Sequence, residues 1–193
     1  MILLGSRLLN LPIMSLQTGS ELAKTKQPVI DPASLKIIAY EIDGPLLEPT
    51  QSLLRLADVR ELSDIGMIID SSDEFVSSSD VITLKDVYDL QFRLLGMQVR
   101  DEKGGKLGKI SDYTIETDSF IIQQLTVKRP FLKSFSDTEL LIHRSQIIEI
   151  NNESIVVHSE SKVDEREVAA QKGSYVNPFR KQPSPQSIDL DRN

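Results

Sequence analysis

The chain has 193 residues, 39% hydrophobic and 26% charged, enough to bury a core in one or two domains. It has no cysteine and only two histidines, His143 and His158, which excludes disulfides, thiolate chemistry and histidine-rich metal centres. A formal net charge of −7 excludes a uniformly basic nucleic-acid surface and leaves only local basic patches.

The opening Met1-Ile2-Leu3-Leu4-Gly5-Ser6-Arg7 is apolar for a few residues before its first charge, the reverse of a secretory signal. Val29 to Ile42 is broken by Asp31, Pro32 and Lys36, and no run approaches the roughly 18 apolar residues of a membrane helix. These features predict a cytoplasmic chain with no integral membrane span.

The apolar residues come in short β-branched clusters: Ile37-Ile38, Ile68-Ile69, Ile121-Ile122, Ile147-Ile148 and Ile155-Val156-Val157. Turn residues separate them, which predicts strands of a sandwich or small barrel. Asn151-Asn152-Glu153 reads as a hairpin turn, with asparagine supplying positive φ. Between Ser71 and Val87 lies a serine- and aspartate-rich join, in which Asp80 is placed to cap a helical turn running to about Lys85.

Several features recur. Leu3-Leu4-Gly5 returns as Leu94-Leu95-Gly96, an offset of 91 that gives the first copy a longer opening turn. Leu22, Leu35, Ile37, Tyr40 and Ile42 have counterparts 85 residues later, at Leu107, Phe120, Ile122, Leu125 and Val127. This colinearity predicts two units, 1–82 and 83–160, followed by a tail, 161–193. In the tail, Ser161 to Asp164 resembles a capping box and Gly173 a helix stop. Few apolar residues support that helix, and the proline- and serine-containing stretch after Ser174 predicts disorder. Tyr175 to Phe179 is a candidate docking peptide, and Arg180-Lys181 offers a weak electrostatic contact.

No catalytic set emerges. His143 and His158 read as polar residues at strand ends. Asp70, Asp73, Glu74 and Asp80 lack the glycine and spacing of a calcium loop, and read as a solvated acidic linker. Gly104-Gly105-Lys106-Leu107-Gly108-Lys109 is followed by Ile110 and a strand, so it reads as a β-turn rather than a phosphate loop. The reading is no catalytic residue, no cofactor and no metal site.

The segment from Val127 to Ser136 alternates cations with large apolar groups after a strand that Pro130 should end. If its aromatic residues point inward, it is a loop covering a barrel end. If they point outward, Lys128, Arg129, Phe131, Lys133 and Phe135 form an aromatic anchor ringed by charge, suited to an acidic protein or to RNA. The first unit's counterpart, Gly44 to Pro49, is not basic. The segments 1–85, 86–160 and 161–193 carry −5, −3 and +1, so no unit grips a nucleic-acid backbone by charge alone.

Gly105-Lys106-Leu107-Gly108-Lys109-Ile110-Ser111-Asp112-Tyr113, an apolar strand before Lys128-Arg129-Pro130, and the late Ile-Ile-Glu-Ile and Ile-Val-Val pair resemble the PRC-barrel family. That family includes the cytoplasmic domain of the photosynthetic reaction centre H subunit and the second domain of the ribosome maturation factor RimM. The likeness is fuller over 90–160 than over 1–82, where Ala23 stands in the place of Gly108. It implies an all-β fold: two small PRC-type β-barrels in tandem, with a disordered or marginally helical C-terminal tail. It also implies a non-enzymatic adaptor or scaffold with a protein partner. The alternative is an RNA-associated factor in ribosome assembly or RNA processing, with RNA or a ribosomal protein as partner.

Overall fold

Strands form where β-branched and leucine residues alternate with polar ones, and polar turns interrupt them. A computed structural model describes residues 1–45, 47, 52–129, 139–151 and 153–158. They form β1 (Ile2–Leu4), β2 (Pro12–Ser15), β3 (Glu21–Asp31), β4 (Lys36–Asp43), β5 (Leu53–Arg55), β6 (Glu61–Ser63), β7 (Gly66–Ile69) and β8 (Phe75–Val76). One helix, α1 (Ile82–Asp89), leads to β9 (Gln98–Asp101), β10 (Lys106–Glu116), β11 (Ile121–Lys128), β12 (Glu139–His143), β13 (Ile147–Ile150) and β14 (Ser154–Val157). The described residues all fall within one compact unit, Met1–Ser159. The tail expectations, with Phe131, Lys133 and Phe135, lie outside the described residues.

The strand order repeats. The first half runs β6-β7-β2-β3-β4-β5, and the second runs β13-β14-β9-β10-β11-β12. In both, a parallel pair (β2 with β7, β9 with β14) adjoins a long antiparallel hairpin. β3 and β10 have 11 residues each, and β4 and β11 have 8. The backbone corrects one equivalence read from sequence. Asn10 N–H donates to Thr25 C=O as Gly96 N–H donates to Ile110 C=O. Asn10 therefore corresponds to Gly96, both at positive φ, and the opening turn of the first half is only one residue longer than that of the second.

Two closed barrels are not what the strands build. Among the described residues, no ladder joins β5 to β6 or β12 to β13, so each sheet stays open there. A 3-10 turn at each place (Leu56–Asp58 and Arg144–Gln146) swings the chain away from pairing. The halves meet instead through β4 and β11, where Lys36 lies opposite Ile121. Ile37 N–H donates to Phe120 C=O and Ile122 N–H to Leu35 C=O, both at 2.9 Å. Each of these residues has its counterpart 85 positions away, so the seam is locally two-fold symmetric. Leu35 and Phe120 occupy the same left-handed backbone well (φ 55 and 54). An L-residue pays a steric cost there of about 1–2 kcal/mol.

The lead-in to each half packs on the other half. β1 pairs with β10, and the 3-10 turn that follows (Gly5–Leu8) lies on the same strand. A Cβ on Gly5 would stand 2.2 Å from Tyr113 Cε2, so only glycine lets the backbone approach the ring. Reciprocally, α1 packs on β3, and Arg93 donates to Gln27 and, at 3.3 Å, to Glu41. One continuous apolar core therefore holds Ile13, Tyr40 and Met67 from the first half with Val99, Tyr113 and Ile155 from the second.

Helix α1 is longer than the expected turn, and Asp80 does not cap it. Val81 is the N-cap, and the Asp80 carboxylate accepts from Ser77 N–H at 2.7 Å. The hairpin at Asn151 is an Asx turn: its Oδ1 accepts from the N–H groups of Glu153 and Ser154 at 3.0 and 2.8 Å. Asn151 is not at positive φ, and Asn152 lies outside the described residues.

Candidate protein-interaction face

The two halves differ most on the outer faces of their sheets. On the first sheet, Val29, Ala39 and Leu53 form a second apolar layer outside the main core. Leu84 of α1 inserts over them and is 3% exposed, with Val81, Val87 and Tyr88 packed around it. Strand register places Val29 opposite Ala39, and Leu53 opposite Glu41.

The same register on the second sheet pairs Thr114 with Gln124, and Leu141 with Thr126. Where the first sheet offers Val29, Ala39 and Leu53, the second therefore offers Thr114, Gln124 and Leu141. No described element lies over them, and Leu141 is 56% exposed. Strand pairing extends this face into two rows. Leu4, 44% exposed, lies opposite Thr114, and His143 lies opposite Gln124. Lys128 lies opposite Glu139 at the end of the β11–β12 ladder. The face thus carries two separated leucines among hydroxyl, amide and charged groups.

Of the residues singled out in the sequence, Lys128 is exposed at the last position of β11 and Arg129 is half-buried just beyond it. Lys128 thus borders the uncovered face. Thr114, Gln124, Leu141 and Leu4 were not singled out. Alternation on β10 and β11 could have placed the first two, but Leu4 joins them only because β1 crosses to β10.

The histidines sit where the sequence put them. His143 ends β12, and its Nδ1 caps the following turn through Ser145 N–H at 3.2 Å. His158 follows β14, with Nδ1 2.8 Å from a Glu102 carboxylate oxygen. The acidic join is used locally. Ser71 and Glu74 form a reciprocal capping box. Asp70 accepts from Arg60 at 2.5 Å, and that bond holds its carboxyl below the usual carboxylate value. Among the described residues, no group of three or more acidic, histidine or cysteine side chains is arranged to hold a metal, and no helix is long and apolar enough to cross a membrane.

The glycine segment is a strand connection. Gly104 turns at φ 80, Asp101 Oδ1 accepts from Lys103 and Gly105 N–H, and β10 begins at Lys106. Gly108 lies so close to the neighbouring strand that a Cβ would meet Lys128 C=O at 2.3 Å. The lysines stand on a strand and its approach, without the helix N-terminus a phosphate loop requires.

This glycine pattern and the strand order that follows it coincide with a family match over residues 86–163, to the PRC-barrel domain. Residues 86–163 are a PRC-barrel domain. The PRC-barrel match takes in the last turn of α1 and all of β9 to β14, the half whose outer face no described element covers. No curated protein matches the chain.

Proposed function

We propose that the chain is a non-enzymatic adaptor that holds a protein partner on the outer face of its PRC-barrel domain. One observation carries this reading: the same sheet face is sealed by α1 in the first half, whereas among the described residues nothing covers it in the second. The duplicated strand order supports reading residues 1–82 as a diverged PRC-type unit, with 83–160 as the working one. In that scheme the first unit spends its outer face on α1 and serves as a platform. The second keeps its face for a partner, with Leu4 and Leu141 as apolar contacts and polar groups setting register.

A protein is favoured over RNA by net charge: residues 86–160, which carry most of the proposed face, hold 9 basic and 12 acidic residues, so a phosphate backbone would meet net repulsion there. The test is affinity capture with the full chain, using Leu141→Glu combined with Thr126→Lys against a control, Lys85→Glu with Asp86→Lys, on the exposed side of α1. The first pair should abolish recovery of the partner and the second should leave it unchanged. Equal recovery by both variants would refute the face, and capture of RNA that weakens steeply with salt would favour the RNA reading.

A further inference from the structure

The chain carries a filled copy of the proposed interaction face, and the filling is a helix. On the first sheet Val29, Ala39 and Leu53 meet one stripe of α1, in which Leu84 is buried and Val87 and Tyr88 are half-buried. Thr83, Lys85, Asp86 and Asp89 are exposed, which is the pattern of an amphipathic helix. Arg93, four residues past the helix, ties it to the sheet by donating to Gln27 and Glu41.

The second sheet keeps the outline of that platform and changes its chemistry. Leu141 repeats Leu53, and Thr114 matches Val29 in outline with a hydroxyl for one methyl. Gln124 stands at the place of Ala39, directly opposite Thr114. A leucine laid there would cover a hydroxyl and an amide without pairing them, whereas a glutamine or asparagine pairs both. At the places of Gln27 and Glu41 stand Asp112 and Thr126, opposite each other. Asp112 accepts from Ser6 and from Tyr113 N–H, which are neutral donors. Among the described residues no cation lies within ion-pair distance of it. An arginine placed as Arg93 is on the first sheet would therefore meet a free carboxylate where Arg93 meets an amide.

We propose that the uncovered face holds an amphipathic helix of the protein partner, in the crossing that α1 makes on the first sheet. The helix carries an amide side chain at the place of Leu84 and an arginine at that of Arg93, directed at Asp112. This rests on the face proposed above and adds the form and chemistry of its occupant.

The test is titration of the ¹⁵N-labelled full chain with synthetic peptides of sequence 79–94, followed by amide shifts. The peptide with Leu84→Gln should give saturable shifts on β10, β11 and β12 with a Kd of about 1 mM, weak because so short a helix must fold as it binds. The unaltered peptide should bind at least about fivefold more weakly, since it leaves polar groups unpaired. The chain variant Thr114→Val with Gln124→Ala restores the side chains of the first sheet and should reverse that preference. Adding Arg93→Gln to the Leu84→Gln peptide should weaken it by at least about threefold at low salt. Absent shifts, shifts mapping elsewhere, a preference that the chain variant does not reverse, or equal affinity with and without Arg93 would each overturn the proposal. Loss of partner capture in Leu141→Glu with Thr126→Lys, alongside no peptide binding, would leave the face standing and overturn only its helical occupant.

Discussion

Replacing Tyr40 with phenylalanine should make the protein more stable, although it deletes a polar group from the centre of the core. The ring is 0% exposed and its hydroxyl is unpaired. An unpaired hydroxyl in such a place costs about 1–3 kcal/mol. Tyr40→Phe removes that cost and keeps the ring's packing against the core. The space left by one oxygen is roughly 10 Å³, which at about 24 cal/mol per Å³ takes back only about 0.2 kcal/mol. The net gain should be about 1–3 kcal/mol, a rise in Tm of about 2–11 °C for a unit of this size. Guanidinium unfolding reads it as a higher midpoint at an unchanged slope. A loss of more than about 0.5 kcal/mol would refute the reasoning, because it would mean that the hydroxyl forms a bond worth more than its desolvation.

Other consequences follow from the same packing. Gly5→Ala should destabilise by about 1–3 kcal/mol in urea, since the new methyl overlaps the Tyr113 ring; an effect near zero would show that the ring moves freely. Leu84→Ala should cost about 2–5 kcal/mol and raise hydrogen exchange across Ile82–Asp89, because Leu84 is the residue of α1 buried on the first sheet. Stability should fall as pH rises above about 10: the unfolded chain ionises its phenols there while Tyr40 and Tyr113 hold their protons, so the native state binds more protons. Urea midpoints between about pH 8 and 11 measure that slope, which Tyr40→Phe should reduce; a flat profile would contradict the burial of both phenols.

Much of the strand layout could be read from local pattern. β-branched clusters and turn residues mark β4, β7, β11, β13 and β14, and the 85-residue correspondence from Leu35 to Phe120 reappears as matched left-handed backbone at the seam. Pattern failed where long-range packing decides. The similarity of Leu3-Leu4-Gly5 to Leu94-Leu95-Gly96 suggested an equivalence, but Gly5 is a glycine because Tyr113 lies against it, whereas Gly96 is one because its backbone turns at φ 85. The exchange of lead-in segments, and with it the exposure of Leu4 beside Thr114, leaves no local trace, since nothing in Ile2–Leu4 names β10 as its partner. Asp80 looked like a cap because of its place before Ile82, but it spends its carboxylate on Ser77. Lys128 was legible as an exposed cation at a strand end, whereas the uncovered face beside it depends on where α1 packs.

The proposed function turns on which sheet face a partner covers. Hydrogen–deuterium exchange of the full chain, alone and with its captured protein partner, measures this directly. Protection should appear on β11 and β12, at Gln124–Lys128 and Glu139–His143, and leave Ile82–Asp89 unchanged. Protection confined to α1, with β11 and β12 exchanging as in the free chain, would contradict it.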